Sequence, residues 1–208
     1  EDTPFFLTLG FNKPHLPFNA PKKYWDLYDR DEIPMAENNF IPKNLDNIYS
    51  THNSPEVTTH YPWPDGPGNV TPESAKTLKH GYYASISYID ALVGNVLDEL
   101  ERLDLSKNTI VVLWSDHGWH LGEQSMFGKM SNFEIATRSP LIIKVPGITT
   151  EGKKLNHLTE SIDIYPTLSE LCGLNYSNDL DGESIVDVLK NPDIKGQNYA
   201  RSFYYRNQ

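Results

Sequence analysis

The sequence contains a single cysteine, Cys172, among 208 residues. One cysteine cannot form an intrachain disulfide, and it cannot supply a cysteine-based zinc cluster. Free cysteine is among the most buried residue types, so we expect Cys172 to be a packed thiol rather than a reactive one.

Basic residues and long apolar runs are also scarce. The chain has 18 Lys and Arg against 28 Asp and Glu, a net charge of -10. This balance argues against a nucleic-acid partner or an anionic membrane surface. No apolar run reaches the roughly 18 residues of a spanning helix, and the sequence does not open with the basic-then-apolar pattern of an export signal. We expect no membrane span, and we expect any export signal to lie outside this sequence.

Apolar runs alternate with amphipathic segments, which predicts an α/β domain with a mostly parallel sheet. Hydrophobic content of 38% and aromatic content of 12% are typical of a globular chain with a sizeable core. We expect buried strands at 3–11, 109–115, 140–147 and 199–205, and helices at 72–103 and 163–174.

Capping signals define the two predicted helices. Thr71 and Pro72 form a typical helix start, and Gly173 marks the end of the later helix. The longer helix carries an apolar stripe that we expect to be buried. Its members are Leu78, Tyr82, Ile86, Ile89, Val93, Leu97 and Leu100.

The segment from about 12 to 73 is rich in Pro, Asn, Asp and Tyr. A connection this long is unusual in a compact domain unless it carries function or lies over a site. We expect it to cover a site, with a short helix in "PKKYWDLY".

An acid and a histidine, Asp116 and His117, follow the strand at 109–115. Ligands of open α/β sheets bind beyond the carboxyl ends of the strands. Asp offers a hard oxygen to a divalent cation, His offers a nitrogen ligand or a hydrogen-bond donor, and Gly118 allows a sharp turn. Alternatively, Asp116 caps the next turn. Spacing alone favours neither interpretation.

"SDHGWHLGE" followed by "GKMSNFEIATRSPLIIKVPG" resembles the sulfatases of the alkaline phosphatase superfamily. "FFLTLGFNKPHLPF" and "YYASISYIDALVGNVLDEL" resemble the iduronate-2-sulfatase-like branch, and "SIDIYPTLSELCGL" and "LDGESI" resemble later segments. The resemblance implies an alkaline-phosphatase-like, mostly parallel sheet flanked by helices and incomplete at its N-terminal side. Residues 1–208 would form the middle and later part of a catalytic domain, with an incomplete C-terminal subdomain after about 175.

The resemblance also implies roles for four residues. Asp116 and His117 match the downstream pair of the family's Ca²⁺ site. Lys129 matches the lysine that contacts the sulfate and stabilises the departing oxygen, and His15 matches the histidine that acts as general acid. Such roles are physically reasonable, because a cation and a proton aimed at the bridging oxygen bind the transition state better than the ground state.

Substrate-binding candidates are Lys13, His120, Trp119 and Arg138. We expect His120 to line the pocket mouth beside Glu123, and Trp119 to stack on a sugar ring. Alternatively, Glu123 pairs with a nearby cation. We expect Lys13 and Arg138, and also His60, to bind a uronate carboxylate.

The family's nucleophile, a formylglycine made from Cys or Ser in a Cys/Ser-x-Pro-x-Arg segment, has no match in this sequence. The resemblance places it upstream with an Asp pair of the metal site, so we expect a missing N-terminal segment of the same protein as a partner. The fragment alone is then expected to be inactive.

For the full-length parent the resemblance implies hydrolysis of sulfate esters on a sulfated sugar, in particular a 2-O-sulfated uronate of a glycosaminoglycan or other polysaccharide. It also implies a secreted, periplasmic or lysosomal location. The alternatives are a phosphodiesterase or phosphonate hydrolase on the same scaffold, and a non-catalytic glycan-binding relative.

Overall fold

A computed structural model describes residues 3–43, 56–57, 70–149 and 152–203. The chain divides into two compact units. The first comprises Glu1–Arg102 and Trp119–Ser131, and the second comprises Leu103–Gly118 and Asn132–Gln208. No helix among the described ranges is long and apolar enough to cross a membrane.

Five α-helices and four strands are described. The helices are α1 (Lys22–Trp25), α2 (Pro72–Arg102), α3 (Glu134–Thr137), α4 (Ile164–Leu171) and α5 (Val186–Lys190). The strands are β1 (Val111–Trp114), β2 (His120–Leu121), β3 (Phe127–Gly128) and β4 (Leu141–Lys144). Short 3-10 turns occupy Arg30–Glu32, Ser106–Asn108, Glu123–Ser125 and Ser161–Asp163.

Helix α2 begins where the capping signals predict. The Ser74 N–H donates to Thr71 Oγ1 at 3.2 Å, which satisfies one of the unpaired donors of the first turn. Its burial differs from the prediction, because the buried positions lie between Ala75 and Ser85, whereas Ile86 is 43% exposed. The described elements that pack on α2 cover its N-terminal part, and the rest of the predicted stripe is only partly covered.

The predicted short helix in "PKKYWDLY" is α1, which packs on α2. His80 on α2 connects the two, since its Nε2 lies 2.9 Å from the carbonyl oxygen of Trp25. Gly81 permits the approach, because a Cβ there would lie 2.9 Å from the Trp25 ring of α1 and 2.8 Å from the carbonyl oxygen of Phe18.

One apolar cluster forms the core of the first unit. The hairpin of β2 and β3 contributes to it, with antiparallel pairing of His120 with Gly128 and of Leu121 with Phe127. Burial of these side chains is the main favourable contribution to the stability of the unit. The cluster consists of Leu16, Phe18, Val57, Ala75, Leu78, Trp119, Leu121 and Phe127.

In the second unit, β1 pairs with β4 in antiparallel register, from Val111 opposite Lys144 to Trp114 opposite Leu141. The expectation of a parallel arrangement is wrong for these two strands. A parallel pair needs a long crossover, usually a full helix, whereas the only α-helix of this unit between them is the four-residue α3. The faces of this strand pair are not completely covered either, since Trp114 is 50% exposed and Ile142 is 61% exposed.

The predicted buried strand at 3–11 is not a strand in the structure, and its apolar side chains are exposed, Phe6 by 86%. A strand requires hydrogen-bonded neighbours, and none of the described strands pairs with this segment. The prediction at 199–205 is likewise wrong for residues 199–203, while residues 204–205 lie outside the described residues.

Helix α4 confirms the prediction at 163–174, and Gly173 follows it with a positive φ of 65°, as expected for a helix end. Asp163 anchors its start, because its carboxylate accepts the Glu183 N–H at 2.9 Å and the Glu160 N–H at 2.8 Å.

Cys172 is exposed, contrary to the prediction, because it lies just past the last residue of α4. The subdomain boundary near 175 stays a prediction.

Candidate functional site

His15 and Lys129 lie side by side in the first unit, although 114 positions separate them in sequence. Lys129 Nζ is 3.2 Å from His15 Nε2. The other ring nitrogen, Nδ1, lies 3.0 Å from the carbonyl oxygen of Leu16, which can only accept a hydrogen bond. Nδ1 therefore carries the hydrogen, and in the neutral ring Nε2 accepts from the Lys129 ammonium.

The indole ring of Trp119 lies next to the pair formed by His15 and Lys129. Lys129 Nζ lies 5.7 Å from the centroid of the indole ring, within the range of a cation–π interaction. The ring also meets Phe18 edge-on at 5.9 Å, and Trp119 is only 8% exposed. The expectation that Trp119 stacks on a sugar is therefore wrong for this structure, because core side chains and Lys129 already cover the ring.

The backbone around Lys129 is held by the hairpin and by a buried histidine. The Ser131 N–H donates to the Lys129 carbonyl at 2.8 Å, and Ser131 Oγ lies 2.7 Å from His120 Nε2. His120 Nδ1 faces the Glu123 carbonyl at 3.2 Å, so the neutral ring bonds through both nitrogens. These contacts connect β2 and the turn that follows it to the segment that carries Lys129.

The expectation that His120 lines the pocket mouth is wrong, because its side chain is completely buried. Burial lowers the pKa of His120 below its ordinary value, which favours the neutral ring. Glu123 is partly exposed, and one of its carboxylate oxygens accepts the Leu121 N–H at 2.7 Å. Its place at the pocket mouth stays a prediction.

Glu56 is a site residue that sequence reasoning missed. Its Oε2 lies 3.5 Å from Lys129 Nζ, and its Oε1 lies 3.9 Å from His15 Nε2. The neighbouring Val57 belongs to the apolar core, which fixes the backbone at this point. The only signal in the sequence was the length of the Pro-rich connection from 12 to 73, which predicted a segment over a site without indicating a residue.

Lys13 lies on the same loop as His15, but its ammonium turns back onto the chain. It donates to the carbonyl of His15 at 3.2 Å and also to the carbonyl of Pro17. Burial lowers the pKa of Lys13. Its predicted contact with a uronate would have to replace these backbone hydrogen bonds. His60 lies outside the described residues.

Asp116 and His117 belong to the second unit. The Asp116 side chain is 73% exposed, and its Oδ2 lies 3.4 Å from His117 Nε2. His117 Nδ1 faces the Gly118 carbonyl at 2.8 Å, so Nδ1 carries the hydrogen and Nε2 is left as a possible ligand. Asp116 also accepts the His117 N–H at 3.1 Å, a local contact that does not exclude the capping alternative.

The donor set of this pair fits part of a calcium site. An accessible carboxylate suits Ca²⁺, but that ion takes roughly six to eight oxygen ligands. Among the described residues there is no group of three or more His, Cys, Asp or Glu side chains that could hold a metal ion. Asp116 fits as one ligand, and a complete site needs donors beyond those described.

Gly118 has a role in the second unit that differs from the expected sharp turn. Its N–H donates to the Ala136 carbonyl at 2.8 Å, and a Cβ would lie 1.9 Å from the Ile135 carbonyl oxygen. Glycine is needed here because two backbones approach closely.

Arg138, at the end of α3, is 80% exposed and lies 3.6 Å from Glu134, a solvated pair one turn apart.

Comparisons with known proteins identify the family of the chain. Residues 1–174 match the family model described as Sulfatase. Iduronate 2-sulfatase of Mus musculus is 33% identical over 204 residues, which cover 83% of this chain and 36% of that protein. The chain thus spans about a third of this relative's length.

Solved structures give the same result for the fold. A protein in complex with its substrate D-glucosamine-2-N,6-O-disulfate has a TM-score of 0.59 at 28% identity, covering 64% of this chain and 28% of the other. The phosphonate monoester hydrolase of Silicibacter pomeroyi has a TM-score of 0.69 at 28% identity, covering 90% of this chain and 37% of the other. These overlaps support the α/β class. The family match over residues 1–174 shows that the chain belongs to the sulfatase family.

Proposed function

We propose that the full-length protein hydrolyses sulfate esters, and that His15 and Lys129 act on the ester. The observation that carries this proposal is the 3.2 Å approach of Lys129 Nζ to His15 Nε2 above the buried ring of Trp119. Two groups that can both donate a proton or a hydrogen bond to one oxygen are thereby brought to one point of the first unit.

The chemistry follows from the charges. Cleavage of the sulfur–oxygen bond leaves negative charge on the former bridging oxygen, and a lysine ammonium nearby stabilises that charge more in the transition state than in the ground state. His15 would transfer a proton from Nε2 to the departing oxygen, which requires the ring to be protonated on that atom. The leaving group then departs as a neutral alcohol.

Asp116 and His117 would hold the metal in this proposal. A bound calcium ion supplies Lewis-acid polarisation of the non-bridging sulfate oxygens. Asp116 offers accessible carboxylate oxygens, and the hydrogen bond from Nδ1 to Gly118 orients the His117 ring. We propose that the remaining ligands and the formylglycine nucleophile come from another part of the longer protein.

The substrate class we propose is a sulfated sugar, and in particular a 2-O-sulfated uronate. The name of the mouse relative, 33% identical to this chain, supports this choice. The secreted, periplasmic or lysosomal location belongs to the same proposal.

The test uses the full-length protein with calcium and two esters, 4-nitrocatechol sulfate and a 2-O-sulfated uronate disaccharide. Lys129→Ala is expected to lower kcat/KM by about 10²- to 10³-fold, the usual effect of losing one electrostatic donor. Lys107→Ala is the control, because Lys107 is an exposed lysine that pairs with Asp104 in the second unit. Absence of sulfate release from both esters by the wild-type protein would refute the proposed function.

A second candidate is hydrolysis of phosphonate or phosphate esters. The similarity to the phosphonate monoester hydrolase, over 90% of this chain, favours it. The discriminating measurement is the ratio of kcat/KM for 4-nitrophenyl sulfate and 4-nitrophenyl phenylphosphonate. A ratio above one favours the sulfatase, and a ratio below one favours this alternative.

A further inference from the structure

The Glu56 carboxylate faces both groups of the candidate site at once. One oxygen lies 3.5 Å from the Lys129 ammonium and the other 3.9 Å from His15 Nε2. Both distances exceed the roughly 2.7 to 2.9 Å of a tight charge-assisted hydrogen bond. The carboxylate is therefore close enough to compensate positive charge on Lys129 and His15, but it forms no tight hydrogen bond with either side chain.

Compensation is needed at this point. The Lys129 side chain is only 14% exposed, so solvent screens its charge poorly. Protonation of His15 on Nε2 would put a second positive charge 3.2 Å from the ammonium. A nearby carboxylate makes that doubly charged arrangement less unfavourable, and an anionic substrate would do the same.

The apolar core helps to fix the backbone at Glu56. Val57 is 4% exposed in the apolar cluster that also holds Leu16 and Trp119. The Glu56 side chain itself remains 34% exposed. Removing its charge should therefore leave the fold intact, and the anchored backbone keeps the side chain beside Lys129.

We propose that Glu56 is an internal counterion that competes with the anionic group of the ligand for Lys129 and His15, and that it positions these two side chains. This inference rests on the proposed function, because it identifies the ligand as an anion at that site. Glu56 is a positioning residue in this view. It lowers affinity for free sulfate while it keeps the two donors together.

The experiment measures binding of inorganic sulfate to the full-length protein by isothermal titration calorimetry, and the KM and kcat for 4-nitrocatechol sulfate. Glu56→Gln is expected to bind sulfate about tenfold more tightly, because a competing negative charge is lost while the shape is kept. Its kcat is expected to fall about tenfold or more, because Lys129 and His15 lose their shared partner. Glu56→Asp, which keeps the charge, should bind sulfate nearly as weakly as the wild type.

Glu32→Gln is the matched control, since it removes one charge from an exposed turn of the same unit. It should change neither sulfate affinity nor kcat. Equal sulfate affinity in wild type and Glu56→Gln, or equal tightening in both Gln variants, would overturn the inference. A purely structural role predicts a lower Tm for Glu56→Gln without tighter sulfate binding, and that result would also overturn it.

The outcomes separate this inference from the proposed function. If the wild type cleaves no sulfate ester but Glu56→Gln binds sulfate more tightly, the counterion role stands and the sulfatase proposal fails. If the wild type cleaves the ester but the substitution does not tighten sulfate binding, the sulfatase proposal stands and the counterion role fails.

Discussion

Replacing Gly118 by alanine tests how tightly the backbone after Asp116 and His117 is packed. A Cβ at this position would lie 1.9 Å from the Ile135 carbonyl oxygen and 3.0 Å from its carbon. Ordinary contact begins near 3.4 Å, so the two backbones would have to separate by 3.4 − 1.9 = 1.5 Å. The hydrogen bond from the Gly118 N–H to Ala136, now 2.8 Å, cannot survive that separation.

The expected destabilisation follows from these two losses. A lost backbone hydrogen bond costs about 1 kcal/mol, and overpacking against rigid backbone costs about 2 kcal/mol more. We expect Gly118→Ala to lower the free energy of unfolding by about 3 kcal/mol, measured by urea unfolding of the full-length protein. Calcium affinity, measured by calorimetry, should fall as well, because the adjacent candidate ligands are displaced.

Gly94→Ala is the matched control. Gly94 lies inside α2, and apart from its sequence neighbours and the backbone of the helix itself, no atom of the described residues lies within 4 Å of the Cβ that would be added. The same extra methyl group should therefore raise the free energy of unfolding by about 0.5 to 1 kcal/mol, since alanine favours helix over glycine. If both variants unfold within about 0.5 kcal/mol of the wild type, the close approach at Gly118 does not contribute as inferred.

Two further predictions concern buried groups. Burial lowers the pKa of His120 below 6.5, so below pH 6.5 the unfolded chain takes up a proton that the folded chain does not. The stability contribution is complete above 6.5 and is lost as the pH falls toward the lowered folded value. The urea midpoint of the wild type should therefore be lower at about pH 5 than at about pH 7.5, and this difference should be smaller in His120→Gln. An equal difference in both proteins would contradict this account. Asp163→Ala removes the acceptor of two backbone N–H groups at 2.8 and 2.9 Å and should cost about 3 kcal/mol, with Asp163→Asn in between. If the Tm of Asp163→Ala equals that of the wild type, this anchoring role is excluded.

Helix ends that depend on residues close in sequence could be predicted from the sequence. The start of α2 at Thr71 and the end of α4 at Gly173 depend on capping residues within one turn, and the structure confirms both. The direction of strand pairing depends on partners distant in sequence. The apolar run 111–114 is compatible with either direction, and the structure pairs β1 and β4 antiparallel.

Burial was the least predictable property, because it depends on which other segments cover a residue. Cys172 and the segment 3–11 have buried-type composition but are exposed in the structure. His120 and Trp119 showed the reverse error, since polar or amphipathic residues in a loop suggest exposure. In the structure, both are interior residues of the hairpin that carries Lys129.

The candidate site was predictable only where a motif marked it. His15 and Lys129 were selected by resemblance, and the structure brings them together. Glu56 has no motif, and its closeness to both is a property of folding alone. The pairing of Asp116 with a metal stays a prediction.

The packing of Lys129 against Trp119 and His15 affects the free energy of binding of any anion at this site. Placing a long flexible side chain in one rotamer upon association normally costs about 0.5 to 1.5 kcal/mol. Here the Lys129 ammonium lies over the Trp119 ring and against His15, contacts that the chain itself provides. Much of that ordering has occurred during folding, so the site is preorganised and association can be tighter than the number of its contacts suggests.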